Sequence, residues 1–290
     1  MINNEIKHRI LTELAERRNN FAGSDAKFAI SIGINNAQYS RIKNGEVDRV
    51  LSDSNWVSLA RVMEISIGNA PVWNIANTPV FNFITDQLHF CQDNASSRLL
   101  CDIADIGKTF TAKAFVKSNK NAIYVDCSQV KSKQKLVRFI AKEFGVGNTG
   151  KYSDVYADLV FYLRSLPSPL IILDEAGDLE YAAFLELKAL WNATERCCGW
   201  YMMGADGLKH KIRRAIDGKK VGFTEIFSRY GSRYQKATPD GNEDLIKYKS
   251  LTAGLIIRAN CTGDVNVQQM IVRTDYSLRR IADELRKLAV

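Results

Sequence analysis

Two short apolar runs, each ending in polar residues of a particular kind, constrain this chain more than anything else in it. The first, Leu99-Leu100-Cys101, leads through a loop to Gly107-Lys108-Thr109, after which the pattern turns helical. Strand, loop, then a helix opening on Gly-Lys-Thr is the layout of a phosphate-binding loop, in which backbone N–H groups at a helix N-terminus form an anion nest. In that layout Lys108 meets the β- and γ-phosphates of ATP and the Thr109 hydroxyl ligates Mg²⁺. Asp105, Ile106, Gly107, Lys108, Thr109 and Phe110 are therefore the candidate nucleotide-binding residues. The frame is imperfect. In the pattern G-x-x-x-x-G-K-[ST] the first Gly is replaced by Asp102, and Asp105 stands at another position that is often Gly. Asp tolerates the left-handed backbone better than most residues, but two carboxylates beside an anion nest are unfavourable unless they point away. Alone, the motif also reads as an ordinary strand–turn–helix.

The second run settles the first. Leu170-Ile171-Ile172-Leu173 ends in Asp174-Glu175. An acidic pair at the carboxyl end of a buried strand is the Walker B pattern: Asp174 holds Mg²⁺ through water, and Glu175 polarises the water that attacks the γ-phosphate. Between the two motifs lie the strand 122–127, a helix opening in 131–135 and a helix over 153–166, a spacing that suits a P-loop nucleotidase.

Around this core the chain divides into three parts, with boundaries expected near residues 70 and 237. In 1–70, Ile6, Ile10, Leu11 and Leu14 share one helical stripe. Ser24 caps a second helix over 25–32. Gly33 breaks it, a third follows over 34–45, and a closing helix covers 56–63. Helix, Gly-containing turn and polar-opening helix is the order of a helix-turn-helix of the repressor type. On that reading Asn35, Asn36, Gln38, Tyr39, Arg41 and Lys43 face a DNA major groove. The same order serves a helical module that binds protein, and this part is nearly neutral, with nine Lys/Arg against eight Asp/Glu. Gly68, Asn69, Pro71 and Pro79 mark a linker, and 80–92 reads as an amphipathic helix before the first strand. Beyond the Walker B strand, a helix is expected over 184–195 and a strand over 199–206, with Asp206 a weak candidate for a γ-phosphate sensor. An amphipathic helix over 276–285 ends the 238–290 part.

Residues 205–290 carry seventeen Lys/Arg against ten Asp/Glu, including the dense basic run 209–220, so most of the net charge of +8 sits in the last third. A one-sided basic surface suits a polyanion such as nucleic acid, and equally a solvated face. No apolar run approaches the roughly 18 residues of a membrane span, and the polar N-terminus does not read as a signal peptide. Six cysteines without a C-x-x-C pair fit reduced thiols in a cytoplasmic protein, and three scattered histidines offer no zinc site.

Together the two Walker motifs, Phe227-Ser228-Arg229 after the fourth strand and Leu278-Arg279-Arg280-Ile281 in the C-terminal helix resemble an AAA+ ATPase. Within that class the chain resembles the phage Mu B family of ATP-dependent DNA transposition proteins. The turn Gly204-Ala205-Asp206-Gly207-Leu208 and the stretch Ile226-Phe227-Ser228-Arg229-Tyr230-Gly231 carry that likeness. The implied fold class is α/β: a P-loop AAA+ core with a parallel sheet, preceded by an all-α helix-turn-helix domain and followed by a small helical lid. The resemblance implies an arginine finger at Arg229, acting on a neighbouring subunit's nucleotide, and a phosphate-sensing arginine at Arg279, although the Gly-Asn pair expected before it reads Tyr276-Ser277. Either arginine also reads as half of a surface ion pair. It further implies a ring or helical filament of copies on double-stranded DNA. That assembly would contact DNA without sequence preference through Lys131, Lys133, Lys135, Thr149 and Lys151, and would deliver target DNA to a transposase for recombination. The lysines equally suit a solvated first helical turn. Two alternatives remain open from sequence: a replication-initiator or helicase-loader ATPase, and a helix-turn-helix transcription regulator with a nucleotide-binding domain.

Overall fold

A computed structural model describes residues 3–63, 65, 73–261, 263 and 265–288. Four helices come first: α1 (Asn4–Asn19), α2 (Asp25–Ile32), α3 (Asn36–Lys43) and α4 (Asp53–Val62). Each starts on a side-chain cap, from Asn3, Ser24, Asn35 and Ser52, whose oxygen accepts an orphan N–H of the first turn. They close over a core of their own that includes Ile10, Leu14, Phe28, Trp56 and Leu59. Tyr39 belongs to that core. It is 3% exposed, with its ring edge-on to Phe28 at 5.2 Å, so it does not face a groove as the sequence suggested. Asn35 and Gln38 form a reciprocal capping box. Arg41 pairs with Glu46 at 2.8 Å and Lys43 with Asp25 at 2.9 Å. Asn36, Arg41 and Lys43 remain exposed. The linker residues Gly68, Asn69 and Pro71, and with them the expected boundary near 70, lie outside the described residues.

The core follows as α5 (Pro79–Asp93), β1 (Ser97–Cys101), α6 (Lys108–Ser118), β2 (Ala122–Asp126), α7 (Lys133–Glu143), α8 (Tyr152–Ser165), β3 (Leu170–Asp174), α9 (Tyr181–Ala193), β4 (Gly199–Gly204), α10 (Asp206–Asp217), α11 (Phe223–Arg229) and β5 (Tyr234–Gln235). The strands form one parallel sheet in the order β2-β3-β4-β1-β5. Parallel strands need both faces covered, and the sequence supplies two apolar faces by strict alternation. Leu99, Ile171, Leu173, Trp200 and Met202 point to the side of α7–α11. Leu100, Leu170, Ile172, Tyr201 and Met203 point to the side of α5 and α6. The carboxyl ends of β1, β3 and β4 thereby meet at one edge of the sheet, where open α/β folds place their ligands.

The chain closes with α12 (Asn242–Asn260), α13 (Val267–Arg273) and α14 (Leu278–Leu288), packed on Ala253, Ile257, Met270, Ile271, Ile281 and Leu285. The sequence reading assigns no element to 242–275, so α12 and α13 are additions from the structure. Among the described residues no helix is long and apolar enough to cross a membrane. All six cysteines are unpaired.

The four N-terminal helices dock at the far end of the sheet from that ligand edge. Arg17 pairs with Glu143 at 2.9 Å and Glu13 with Lys117 at 2.9 Å. Asn20 donates to the Lys117 carbonyl, and the Lys27 ammonium lies over the Tyr162 ring at 3.4 Å. Gly145 makes this contact possible. It takes φ 68° just past the end of α7, and Val146 N–H returns to Ala141 O. A Cβ at Gly145 would stand 2.2 Å from the Lys27 carbonyl oxygen. Gly145→Ala is therefore expected to combine a left-handed-backbone penalty with a clash, lowering the unfolding free energy by about 1–3 kcal/mol. Urea unfolding checks the size, and faster amide exchange in α2 checks the place; an unchanged midpoint would mean the contact is dispensable.

Candidate nucleotide site

At the carboxyl end of β1 the chain turns through residues 102–107 and enters α6 at Lys108. The turn uses left-handed backbone twice, at Asp105 (φ 60°) and Gly107 (φ 98°). Gly107 has no side chain to oppose that conformation, and Asp is among the residues that tolerate it best. Gly107 is the N-cap of α6, its carbonyl accepting from Thr111 N–H. The first turn of α6 therefore keeps N–H groups for an anion.

Lys108 is largely buried. Its ammonium donates to the backbone carbonyls of Asp102 at 3.0 Å and Ile103 at 2.6 Å. Burial pushes its pKa down, opposed by the charges of Asp102, Asp174 and Glu175. A buried ammonium among carboxylates, held by the loop's own carbonyls, is poised to exchange them for phosphate oxygens. Thr109 Oγ1 donates to Asp174 Oδ2 at 2.6 Å, which brings the two expected magnesium ligands together. Asp174 is 1% exposed, and it also accepts from Tyr124 Oη at 3.0 Å and from Glu175 N–H at 2.9 Å. Glu175 takes φ 48° beyond the strand and borders the cleft. Its pKa is raised by burial first and by the Asp174 charge second.

The cleft has a volume of about 770 Å³, the size range of small-molecule sites. Residues 104–111 form its floor, Trp73, Thr78 and Phe81 one wall, and Leu278, Arg279 and Arg286 the lid side. Within this cleft Ile106 is buried and Phe110 is exposed. Asp206 opens α10 beside the cleft residue Ala205, and its charge reaches Lys108. The donor set suits a magnesium nucleotide: an anion nest, a buried ammonium, and a hydroxyl bonded to a buried carboxylate.

The two aspartates that depart from the P-loop pattern do not face into the nest unpartnered. Asp102 is 1% exposed and its carboxylate accepts from Ile103 N–H, Ala237 N–H, Thr238 N–H and Thr238 Oγ1, at 2.8, 2.7, 2.9 and 2.5 Å. It thus ties the loop to the segment that leaves β5 for the lid. Asp105 accepts from Ser277 Oγ at 2.7 Å and Arg279 N–H at 3.2 Å, where α14 begins. The Arg279 side chain is 83% exposed and its Nε lies 3.9 Å from Asp105 Oδ1.

The remaining expected residues lie elsewhere. Arg229 ends α11, donates to Asn192 Oδ1 at 2.8 Å and covers the Trp191 ring, away from its own chain's cleft. Lys131 precedes α7 and pairs with Asp178 at 3.5 Å. Lys133, at the start of α7, lies 5.6 Å from the centre of the Tyr152 ring, next to Lys151 at the start of α8. Arg138 donates to the carbonyls of Asn148 and Gly150 and holds the Thr149 loop against α7. Lys133, Lys135, Thr149 and Lys151 are exposed and share this end of the α7–α8 pair.

Tyr124, Thr238, Ser277 and Trp73 escaped the sequence reading. The sequence signal for Tyr124 is a hydroxyl-bearing side chain inside the apolar strand 122–127, and that for Ser277 is its place in the departure from the Gly-Asn pair before Arg279.

Residues 93–212 match the family model of the AAA domain. No curated protein matches the chain. Among solved structures it is similar to the Orc1 protein of Aeropyrum pernix, determined in complex with DNA, with a TM-score of 0.52 and 18% identity. That match covers 73% of this chain and 59% of the other, so the chain spans about three-fifths of that protein's length. The fold is that of an AAA+ P-loop protein. Neither match is specific to the transposition proteins that the motifs resemble.

Replacing Asp102 by Ala is expected to leave three buried donors of the 237–238 segment without an acceptor and to cost about 2–4 kcal/mol of stability. Urea unfolding, with amide exchange at residues 237 and 238, measures it; full stability would show that the clamp is replaceable by water.

Proposed function

We propose that this chain is an ATPase that uses nucleotide to control its grip on double-stranded DNA. The observation carrying this reading is the joining of Thr109, Asp174 and Glu175 beside buried Lys108. Bound Mg·ATP would supply the phosphoanhydride and the Lewis acid. Lys108 and the first turn of α6 would hold the β- and γ-phosphates, and Thr109 and Asp174 the metal. Tyr124 donates to the same Asp174 oxygen as Thr109 and helps to fix that carboxylate. Glu175 would accept the proton of the attacking water, a role that its raised pKa suits.

Arg229, turned away from its own cleft and held by Asn192 and Trp191, would leave those contacts to act as a finger on a neighbour's nucleotide. Hydrolysis would then depend on assembly, because transition-state charge is neutralised only across an interface. The DNA surface we assign to Lys131, Lys133, Lys135, Thr149 and Lys151, where phosphate contacts give affinity without sequence readout. The helix-turn-helix offers Asn36, Arg41 and Lys43 as a second, smaller surface. The motif set quoted above favours a target-DNA activator that serves a transposase. The likeness to an Orc1 protein solved with DNA favours the replication-initiator reading within the same ATPase class. Both readings share the site and the partner, and they differ in what the DNA-bound assembly recruits.

Three substitutions test the chemistry. Lys108→Ala is expected to abolish nucleotide binding, Glu175→Gln to retain binding and stop turnover, and Arg229→Ala to remove turnover while the monomer's nucleotide affinity stays unchanged. Normal turnover by the Glu175 variant would refute its assigned role. Because Glu175 must be ionised to act and its pKa is raised, the acid limb of the rate profile should lie above the ordinary Glu range, activity falling as the proton is taken up.

Duplex binding is expected to require ATP, to fall steeply with salt and to show little sequence preference. Lys133→Glu with Lys135→Glu should weaken it at least tenfold. Tight binding to one palindrome, indifferent to ATP, would instead establish an operator-reading regulator. Electron micrographs with duplex DNA and a slowly hydrolysed ATP analogue distinguish ring from filament.

A further inference from the structure

We propose that Asp105 sets the site's discrimination between nucleoside triphosphate and diphosphate, by competing with the terminal phosphate for Arg279 and for the N-terminus of α14. The inference rests on the nucleotide reading of the cleft and goes beyond it, because it concerns a residue that stands where a phosphate loop commonly has glycine.

The start of α14 is an anion site, and it is filled from within. Ser277 precedes the helix, its Oγ accepting from Arg280 N–H at 3.3 Å and its carbonyl from Ile281 N–H at 2.9 Å. The hydroxyl proton of Ser277 and the amide of Arg279 both go to the Asp105 carboxylate. A carboxylate at this position also meets the positive end of the helix dipole. Arg279 adds a full charge 3.9 Å away on a side chain that is 83% exposed and borders the cleft. Asp105 belongs to the same loop as Lys108 and is held at φ 60°. One carboxylate therefore links the floor of the cleft to its lid.

The consequence depends on reach. A diphosphate that fills the nest above Lys108 and Thr109 stops short of the lid, and the Asp105 contacts persist with the carboxylate neutralised by Arg279. A triphosphate carries another doubly charged group toward the lid. It gains Arg279 and the α14 amides only by displacing Asp105, and the freed carboxylate then stands beside phosphate. Asp105 thus opposes the third phosphate and leaves the second nearly untouched. With Gly at this position the lid arginine would be free for the phosphate from the start.

The test compares affinities for a non-hydrolysed ATP analogue and for ADP by titration calorimetry. Asp105→Asn keeps an acceptor and the left-handed backbone but removes the charge. It is expected to tighten the triphosphate about five- to tenfold, the scale of one helix-end or partly exposed charged contact, and to change ADP affinity less than about twofold. In an Arg279→Gln background the selective gain should shrink to the part that the α14 amides and relief of carboxylate–phosphate repulsion supply. Asp105→Gly, in the absence of nucleotide, should speed amide exchange at Arg279. Equal gains for both nucleotides, a selective gain undiminished by the loss of Arg279, or unchanged exchange at Arg279 would each overturn the proposal. If the wild-type chain bound neither nucleotide, the nucleotide reading itself would fall, and this inference with it.

Discussion

A loop built to attract phosphate cannot leave carboxylates of its own turned into its nest. That constraint organises the nucleotide edge of this protein. The chain places Asp at two loop positions where glycine is common, and each is matched with donors supplied from far along the sequence. Asp102 is satisfied by the backbone and hydroxyl of residues 237–238, and Asp105 by Ser277 and the backbone of Arg279. The charges that threaten the nest become the bonds that hold the lid to it. The lid's own core is small, built from the packing of Ala253, Ile257, Met270, Ile271, Ile281 and Leu285. Its position over the cleft thus depends on a few polar contacts as well as on burial, the arrangement expected of an element that must move.

The sheet and its phosphate edge were legible because they follow from local rules. Continuous apolar runs announce strands that need covering on both faces. An apolar strand ending in Asp174-Glu175 has few other uses, and Ser24 marks a helix start by the bond its side chain makes. What local rules cannot supply is the identity of a partner far away in sequence. Nothing near Asp102 points to Thr238, and nothing near Asp105 points to Ser277. Seen locally, both residues read only as defects in a motif. The lid helices α12 and α13 were missed for a related reason. Their apolar residues cover one another and the lid core, so no clean stripe stands out against the polar residues of 242–275.

Tyr39 teaches a different lesson. Its position in a helix that opens polar suggested a groove-facing residue, yet Tyr39 and Ile42, three apart, form the buried side of α3. Asn35 and Gln38 are likewise occupied with the helix start, each bonding the other's backbone N–H. The motif's order was read correctly, but its orientation required the periodicity of α3 to outrank residue type. What remains exposed on α3 is smaller and carries two cations already engaged by Glu46 and Asp25.

The placement of the helix-turn-helix follows from the same ends-of-the-sheet logic. α1 and α2 dock through Glu143, Gly145, Lys117 and Tyr162, where α6, α7 and α8 finish. The exposed lysines 133, 135 and 151 lie where α7 and α8 begin. An eleven-residue helix spans about 16 Å, so the lysines stand about one helix length from the contacts through which α1 and α2 dock. If both surfaces hold DNA, either one duplex runs parallel to α7 or the two surfaces take different segments. A protein that gathers DNA through several subunits would accommodate that division, whereas a lone operator-reading regulator would have no use for the lysine end.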